Sequence, residues 1–294
     1  MAAVVDSSLT LVGPGRAGRA FLRSWASAGG RVAQLIARRP EAVPSTAFPG
    51  AAIRGLSEER FAPTDLLLLA VPDDAIASCA ASLAGRLRCS FAFHLSGALG
   101  ADALAPLRPA GAALASLHPL RPFTGAEGEG WRDALVAVEG DAAGAECGEA
   151  IARALGARPY RLSADGKPLY HAAASLAAGG TVAVLSVAVR ACVAAGIPEE
   201  VAREALAGLS SEAVAAAGRF PFERALTGAI ARRDVGTVRV HARALAATSG
   251  ALELYRALAE EILAATPGRG REEEVREALR GTDDAVSRGA IGSA

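Results

Sequence analysis

A short apolar run near the start of the chain leads into a glycine-rich turn and then into a helical pattern. The run covers residues 9–12, and the turn follows with the spacing G-x-G-x-x-G: Gly13, Pro14, Gly15, Arg16, Ala17 and Gly18. In such a strand–turn–helix unit the first glycine permits the turn, the second lets a pyrophosphate approach, and the third allows close packing. The sequence therefore predicts a dinucleotide bound at these six residues. The alternative is a tight turn without a ligand, because 32 glycines make chance matches easy.

The second strand pattern indicates which dinucleotide is bound. Residues 31–36 are apolar and β-branched enough for a buried strand, and Arg38 and Arg39 follow after Ala37. An NAD-specific site places Asp or Glu near this point to bind the ribose 2′-hydroxyl, whereas Arg accommodates a 2′-phosphate. No carboxylate occurs between Gly18 and Glu41. We therefore expect NADP(H), with Arg38 the stronger candidate and Arg39 the second; the alternative is a pair of solvated loop arginines.

Strand and helix patterns alternate over the first half of the chain and then give way to helices. Further strands are predicted at residues 65–72, 90–95, 113–118, 134–139 and 158–162, with helices near 73–87 and 142–155. This alternation predicts an α/β fold with a Rossmann doubly wound, mostly parallel sheet. Later helices are predicted at 167–195, 198–217, 234–248, 251–265 and 271–287. We expect a Rossmann NADP-binding domain at 1–162 and an all-helical substrate and dimerisation domain at 163–294.

Charge and hydropathy limit the classes of partner. The formal net charge is zero and no basic run occurs, so we expect neither nucleic acid nor a membrane surface as a partner. The first residues lack the basic start of a signal peptide, and the apolar run 181–189 is interrupted by Arg190 and looks too short to span a bilayer. The four cysteines show no C-x-x-C spacing and predict free thiols. These features predict a cytoplasmic protein.

Three of the four histidines fall where a ligand of such a sheet would lie. Ligands bind outside the carboxyl ends of the strands, and His94 and His118 end two predicted strands. The i, i+4 spacing places Lys167 and His171 on one face of the next helix, with Ser175 continuing that face. A reductase needs a group such as imidazole or a partly desolvated ammonium to protonate its substrate. The alternatives are structural histidines and a solvated lysine.

Two other chemistries lack their motifs. No H-x-H or H-E-x-x-H pair occurs, so we expect no metal site. The G-x-S-x-G of serine hydrolases is absent as well. His241, in the predicted helix 234–248, is expected to be a surface or capping residue.

Together these segments resemble a bacterial family of Rossmann-like NADP-type oxidoreductases with a helical C-terminal domain of unknown function. That family is related to β-hydroxyacid dehydrogenase, prephenate dehydrogenase and pyrroline-5-carboxylate reductase-like enzymes. The resemblance covers nearly the whole chain and rests on residues 13–18, 70–76, 94–99, 118–120 with Phe123, 167–174, and 226–228 with Arg232, Asp234, Thr237, Val238 and His241. It implies an N-terminal domain for NADP(H), a helical domain that dimerises, and a substrate cleft between them.

The chain departs from the pattern of this family at three places. Related enzymes carry a Lys with an Asn four residues later at the start of the interdomain helix, and the matching pair here is Lys167 and His171. The usual Asn further along that helix is replaced within residues 178–180. A segment that usually reads Thr-Gly-Pro-Ile-Ala-Arg-Gly-Asp has Ala229 in place of its proline and Arg233 in place of its second glycine.

The leading hypothesis is an NADPH-dependent reductase of a small carbonyl or imine. In this hypothesis the nicotinamide lies near Val71, Pro72 and Ser96. His171 or Lys167 supplies the proton, and the two groups lower each other's pKa.

His118 and Ser96 orient the small-molecule substrate in the same hypothesis. The alternatives are a non-catalytic NADP(H)-binding sensor or scaffold, and a deazaflavin-dependent oxidoreductase. We also expect a homodimer joined through the C-terminal helices, because the segment 181–189 is apolar on too many faces for one small core.

Overall fold

The computed structural model describes residues 4–44 and 48–280 of the 294-residue chain. The chain divides into two compact units, Met1–Leu176 and Ala177–Ala294, called here the first and the second unit. The sequence-based division into domains at residue 162 stays a prediction.

The first unit contains an eight-stranded sheet. Its strands are β1 Leu9–Val12, β2 Val32–Ala37, β3 Ala52–Gly55, β4 Thr64–Leu69, β5 Cys89–His94, β6 Ala113–Pro119, β7 Leu135–Gly140 and β8 Arg158–Arg161. The order is β3-β2-β1-β4-β5-β6-β7-β8, and β1 to β6 pair in parallel, whereas β7 runs antiparallel to β6 and parallel to β8. The predicted doubly wound, mostly parallel sheet is therefore confirmed.

The helices of the first unit follow the strands in the expected alternation. They are α1 Arg16–Ser27, α2 Asp73–Leu83, α3 Ala142–Ala154 and α4 Lys167–Ser175, with a 3₁₀ segment at Ala101–Ala110. The sequence analysis missed β3, whose four residues Ala-Ile-Arg-Gly are only half buried at the edge of the sheet and show no apolar run. It also missed the 3₁₀ segment, which contains Pro106 and Pro109 and therefore lacks a regular helical pattern.

The sheet is buried on both faces, and this explains the continuous apolar run of β4. Successive side chains of a strand point to opposite faces. Leu66 and Leu68 therefore join a cluster that contains Trp25 of α1, while Leu67 and Leu69 join a second cluster that contains Ile76 of α2. Both faces carry helices, as expected for a doubly wound sheet.

The second unit is helical throughout its described part. Its elements are a π turn that begins at the end of the first unit, Leu176–Gly180, then α5 Thr181–Ala194, α6 Glu199–Ala217, α7 Phe222–Ala225, α8 Gly228–Ala231, α9 Val235–Leu245, α10 Ala251–Ala265 and α11 Glu272–Arg280. The helix predicted at 167–195 is observed as a continuous helical stretch that contains a π turn, where Gly179 and Gly180 follow one another. Residues 281–287, predicted to end the last helix, lie outside the described residues.

The core of the second unit lies among its later helices. Buried side chains of α8, α9, α10 and α11 form one cluster, including Ile230, Val238, Leu263 and Val275. By contrast, α5 has no buried residue and α6 has only Ala202. Large apolar side chains of both helices are exposed, with Val182 at 66% and Leu209 at 63%.

One helical stretch, Ala164–Ala194, is long and apolar enough to cross a membrane by length and composition alone. The apolar run 181–189 lies within this stretch, which covers 31 residues. A single helix of this kind is weak support for a membrane span. All four cysteines are free thiols, as expected.

Candidate functional site

The glycine-rich turn between β1 and α1 has the geometry that its three glycines predict. Gly13 adopts φ +87°, and a Cβ atom there would lie 2.7 Å from the carbonyl oxygen of Ala70. A Cβ atom at Gly18 would lie 2.6 Å from the carbonyl oxygen of Gly13, so this position requires close packing. Gly15 has open space above it and caps α1 without a side-chain hydrogen bond. The first amides of α1 are thus free to bind an anion.

The two arginines expected to bind a 2′-phosphate follow the carboxyl end of β2. Both side chains are exposed. Among the described residues, neither Arg38 nor Arg39 forms an ion pair or a side-chain hydrogen bond. Their role in cofactor binding stays a prediction, and their guanidinium groups are free to take it.

Ser96 builds the turn that follows β5. Its hydroxyl donates to Asp73 Oδ2 at 2.7 Å and accepts from the backbone N–H groups of Ala98 and Leu99 at 3.2 and 3.0 Å. The turn connects the end of β5 to the first turn of α2, which follows Val71 and Pro72. The hydroxyl is thus committed to partners within the protein, and its predicted contact with substrate or nicotinamide stays a prediction.

Lys167 is completely buried at the first position of α4. Its Nζ donates to Ser116 Oγ at 2.6 Å and to the carbonyl oxygen of Ser96 at 3.2 Å, and Ser116 Oγ donates to the same carbonyl at 3.0 Å. Burial lowers the pKa of Lys167 to about 8, against the opposing effect of Glu139 and Asp73. Burial, and not the neighbouring imidazole that the sequence suggested, is therefore the main cause of this shift.

The sequence analysis missed Ser116 and overlooked a compositional signal at Lys167. Lys167 is the only lysine of the chain, although lysine and arginine together number 31. The other residues in this count are all arginines. The lysine side chain carries a compact cation on a flexible stem, which reaches Ser116 Oγ and the carbonyl oxygen of Ser96, whereas a guanidinium is planar.

Two histidines and a tyrosine meet at the carboxyl ends of β5 and β6. The ring of His118 packs edge-on against Tyr170 and against His171, with 5.5 Å between ring centroids in both pairs. His118 Nδ1 is hydrogen-bonded to the Tyr170 hydroxyl at 2.9 Å. A Cβ atom at Gly97 would lie 2.4 Å from His171 Nδ1 and 2.9 Å from His118 Nε2, so only glycine admits both rings.

The protonation of this group follows from its burial. Desolvation, together with the charges of His171 and Lys167, lowers the pKa of His118 to about 4. His118 is therefore neutral at pH 7. The Nδ1 atom of His171 is buried and has no hydrogen-bond partner among the described residues.

His94 has the structural role that was its alternative. It is completely buried, and burial lowers its pKa to about 4. The backbone N–H of Ser96 donates to His94 Nδ1 at 3.1 Å, and His94 Nε2 is hydrogen-bonded to the carbonyl oxygen of Gly100 at 3.0 Å. Both ring nitrogens therefore hold the turn after β5.

In the second unit, the substitution at Arg233 has a structural explanation. Arg233 keeps the left-handed backbone conformation of a glycine, with φ +58°, and its side chain is buried. The guanidinium donates to Thr266 and forms an ion pair with Glu272 at 3.1 Å. It thus holds the segment that precedes α11. His241 is exposed on α9, as expected, and its Nδ1 is hydrogen-bonded to the Tyr255 hydroxyl at 3.0 Å.

Within the part of the chain that the structure describes, no cluster of three or more His, Cys, Asp or Glu side chains is arranged to hold a metal ion. The polar groups that meet in the first unit are instead an ammonium, two imidazole rings and hydroxyls. This set is suited to hydrogen bonding and proton transfer.

Family models match two segments of the chain. A Rossmann-like domain matches residues 5–119, and a domain of unknown function, DUF2520, matches residues 134–262. No curated protein sequence matches the chain. The DUF2520 match begins at β7, so it includes the last two strands of the sheet as well as most of the helical unit.

Solved structures share the fold at low sequence identity. Protein TM1727 from Thermotoga maritima is 22% identical with a TM-score of 0.70, covering 88% of this chain and 98% of its own. An imine reductase from Streptomyces aurantiacus is 19% identical with a TM-score of 0.59, covering 93% and 99%. An imine reductase from Myxococcus stipitatus in complex with NADP⁺ is 21% identical with a TM-score of 0.54, covering 97% and 94%. The resemblance that the sequence predicted is confirmed: the chain combines a match to the Rossmann-like domain with a match to the DUF2520 domain.

Proposed function

We propose that the protein is an NADP(H)-dependent oxidoreductase that reduces a small carbonyl or imine. Reduction adds a hydride to the carbonyl or imine carbon and a proton to its oxygen or nitrogen, and NADPH supplies the hydride when bound. The observation that carries the proposal is the placement of two features in one unit. An open glycine turn follows β1, and a pair of converging imidazoles lies near the carboxyl end of β6 in the same parallel part of the sheet.

The residues of the turn fit a dinucleotide phosphate. Gly15 leaves open space beside uncapped amides of α1, which is where a pyrophosphate binds in folds of this kind. Arg38 and Arg39 are exposed and unpaired after β2, where a 2′-phosphate needs a cation. An imine reductase of the same fold has been solved with NADP⁺, which supports this choice.

The polar groups beyond the turn divide the work of substrate handling. Lys167 Nζ already has two partners, Ser116 Oγ and the carbonyl oxygen of Ser96, so its cationic charge acts through the field and through the position of α4. His171 lies one turn later and lacks such partners at Nδ1. We therefore assign the proton to His171 and the orientation of the substrate to His118.

The exposed helices α5 and α6 support a homodimer of this chain. A groove of about 450 Å³ between them is lined by Val182, Leu185, Val189 and Val193, with Arg190, Glu199 and Arg203 at its rim. Helices that are apolar on several faces need a partner, and a two-fold copy of the same helices is the simplest one. Along the chain, α5 and α6 follow α4, the helix that carries Lys167 and His171.

Cofactor selectivity tests the assignment of the arginines. A charge-assisted contact to a 2′-phosphate is worth about 1.5–3 kcal/mol, so NADP should bind about tenfold or more tightly than NAD. Arg38→Ala combined with Arg39→Ala should remove this preference in a calorimetric titration. Arg31→Ala, at the opposite end of β2, is the matched control. Equal affinity of the wild type for both cofactors contradicts the proposal.

Turnover tests the chemistry. NADPH oxidation is followed with a panel of keto acids, aldehydes and cyclic imines, and the wild type should consume at least one of them. With that substrate, His171→Ala should lower turnover by about 10²–10⁴-fold, the share of a general acid, and should leave NADPH affinity nearly unchanged. His241→Ala is the matched control. Full turnover of the His171 variant shows that a group other than His171 supplies the proton.

A second candidate, a non-catalytic NADP(H)-binding sensor or scaffold, is favoured by one observation. The position where related enzymes carry an Asn is a π turn with Gly179 and Gly180, which offer no polar side chain. This candidate gives tight NADPH binding without turnover on any member of the panel. The same titration and the same assay therefore separate the two.

A further inference from the structure

We propose that Tyr170 is a positioning residue that holds His118 in the tautomer with its proton on Nε2. The Tyr170 hydroxyl donates to His118 Nδ1, and the Nε2–H group is left to meet the substrate. The tautomer follows from contacts within the first unit alone. The role given to the Nε2–H group rests on the function proposed above.

The geometry brings the two side chains together from separate elements. His118 lies near the end of β6 and Tyr170 lies in the first turn of α4. The hydroxyl oxygen and Nδ1 are 2.9 Å apart, and the two ring planes are nearly perpendicular at 86°. The opposite ring nitrogen, Nε2, lies over Gly97, 2.9 Å from the place where a Cβ atom would stand.

The chemistry of the two groups decides which of them donates. A phenol O–H is a much stronger acid than a neutral imidazole N–H, and an imidazole lone pair is a much stronger base than a phenol oxygen. Burial raises the pKa of Tyr170 to about 12, so its hydroxyl keeps its proton. The pKa of His118, lowered to about 4, leaves one ring nitrogen unprotonated. The pair is therefore bonded as O–H to Nδ1.

His94, a second histidine at the carboxyl ends of the strands, has the same tautomer, but its Nε2–H group already has a partner in the protein. The backbone N–H of Ser96 donates to His94 Nδ1, so His94 must carry its proton on Nε2, and that N–H is used by the carbonyl oxygen of Gly100. Among the described residues, His118 Nε2 forms no hydrogen bond with the protein. The Nε2–H group of His118 is therefore available to a ligand.

This inference assigns His118 a role toward the carbonyl or imine of the proposed reaction. A neutral N–H donor recognises a lone pair, as on a carbonyl oxygen or an imine nitrogen. It does not supply the proton, because transfer would leave an imidazolate. His118 thus acts as a neutral hydrogen-bond donor that polarises the double bond, and the proton comes from another group.

The experiment reads the tautomer directly by nuclear magnetic resonance. The full-length protein is labelled with ¹⁵N-histidine, and long-range proton–nitrogen spectra are recorded at pH 7 without cofactor or substrate. The chain has four histidines, so single His→Gln variants assign the signals. We expect a protonated-type shift at His118 Nε2 and an unprotonated-type shift at Nδ1. Protonation of Nδ1 in the wild type overturns the inference.

Tyr170→Phe keeps the ring and removes the hydrogen bond. It should shift the tautomer ratio of His118 by about two- to tenfold, the range of one net hydrogen bond. Tyr255→Phe is the matched control, because it removes the corresponding bond to His241 and should leave His118 unchanged. An unchanged His118 signal in Tyr170→Phe overturns the inference. Because neither spectrum involves NADPH or turnover, failure of the proposed reaction does not affect this result.

Discussion

The sheet of the first unit and the helix pair α5–α6 of the second unit treat apolar side chains in opposite ways. In β4, alternate leucines are buried on two faces beneath helices of the same chain. In α5 no residue is buried, and Val182 and Leu209 are mostly exposed. The same chain thus completes one core by itself and leaves a second set of apolar faces open.

The two regions differ in the source of their stability. A sheet with buried alternate side chains is stabilised by contacts whose strength is independent of protein concentration. Apolar helix faces that the chain itself does not cover gain stability only through association. We therefore expect the stability of the first unit to depend on one chain alone. The stability of α5 and α6 should depend on association of two chains.

The largest expected effect breaks the association. Val182→Asp combined with Leu209→Asp should raise the dissociation constant of the proposed dimer by at least about 10⁴-fold. An unpaired buried charge costs about 3–5 kcal/mol, and a two-fold interface places each charge twice. Sedimentation or light scattering measures the change.

Val240→Asp is the matched control for this effect. Val240 is as exposed as Leu209, at 63%, but belongs to α9. It should leave the dissociation constant unchanged within about threefold, since surface substitutions cost little. A wild type that stays a 29.6 kDa monomer at micromolar concentration contradicts the comparison itself.

The next effect compares truncations of one leucine in each region. Leu68→Ala, in the buried strand β4, should lower the free energy of unfolding by about 2–5 kcal/mol at any protein concentration. Leu209→Ala, in α6, should lower it only where the protein is dimeric, so its effect on Tm should grow with concentration. Thermal unfolding at two concentrations a hundredfold apart measures both. Equal behaviour of the two variants removes the distinction.

Lys167 gives the first unit a dependence on pH. The folded pKa is about 8 and the unfolded value is 10.5, so between these values the unfolded chain binds more protons than the folded chain. The free energy of unfolding therefore rises with pH in this range. From pH 8 to pH 10 the wild type should gain about 2 kcal/mol relative to Lys167→Met.

The difference between these two proteins isolates Lys167 from other titrating groups, including the buried cysteines. Chemical denaturation at several pH values measures it, and the midpoint is compared at constant slope. A constant difference between wild type and Lys167→Met across this range shows that the ammonium is not desolvated as its complete burial implies.

The smallest expected effect concerns ligand binding by the first unit. The variant with Asp at positions 182 and 209 should bind adenosine 2′,5′-bisphosphate within about twofold of the wild type. The glycine turn, Arg38 and Arg39 belong to the first unit, and none of them lies on α5 or α6. Calorimetric titration measures the affinity. A loss of tenfold or more shows that the adenine half of the site needs the dimer.

Sequence patterns predicted the elements whose cause is local. The glycine turn and the runs of β1, β4 and β5 follow from apolar residues beside a turn signal, and the sheet follows from their alternation. The short edge strand β3 was missed because its pairing with β2, and not its composition, makes it a strand.

The candidate site shows a similar limit. Histidines at strand ends were visible in the sequence because their positions fix the edge of the sheet on which they lie. Ser116 was missed, because its partner Lys167 is 51 residues away in the chain. Tyr170 lies within the segment 167–174 that carries the family resemblance, but no role was predicted for it, because its partner His118 is 52 residues away. The desolvation of Lys167 likewise depends on contacts that local spacing does not encode.

The lone lysine makes the attachment of α4 to the sheet accessible to chemistry. Every other basic side chain is an arginine, so an amine-directed reagent finds one ε-amino group in the whole chain. That group is completely buried in the native protein. Its acylation rate at a fixed pH therefore measures how often α4 detaches from β5 and β6. Mass spectrometry of the single peptide that contains Lys167 determines this rate, and no probe has to be introduced.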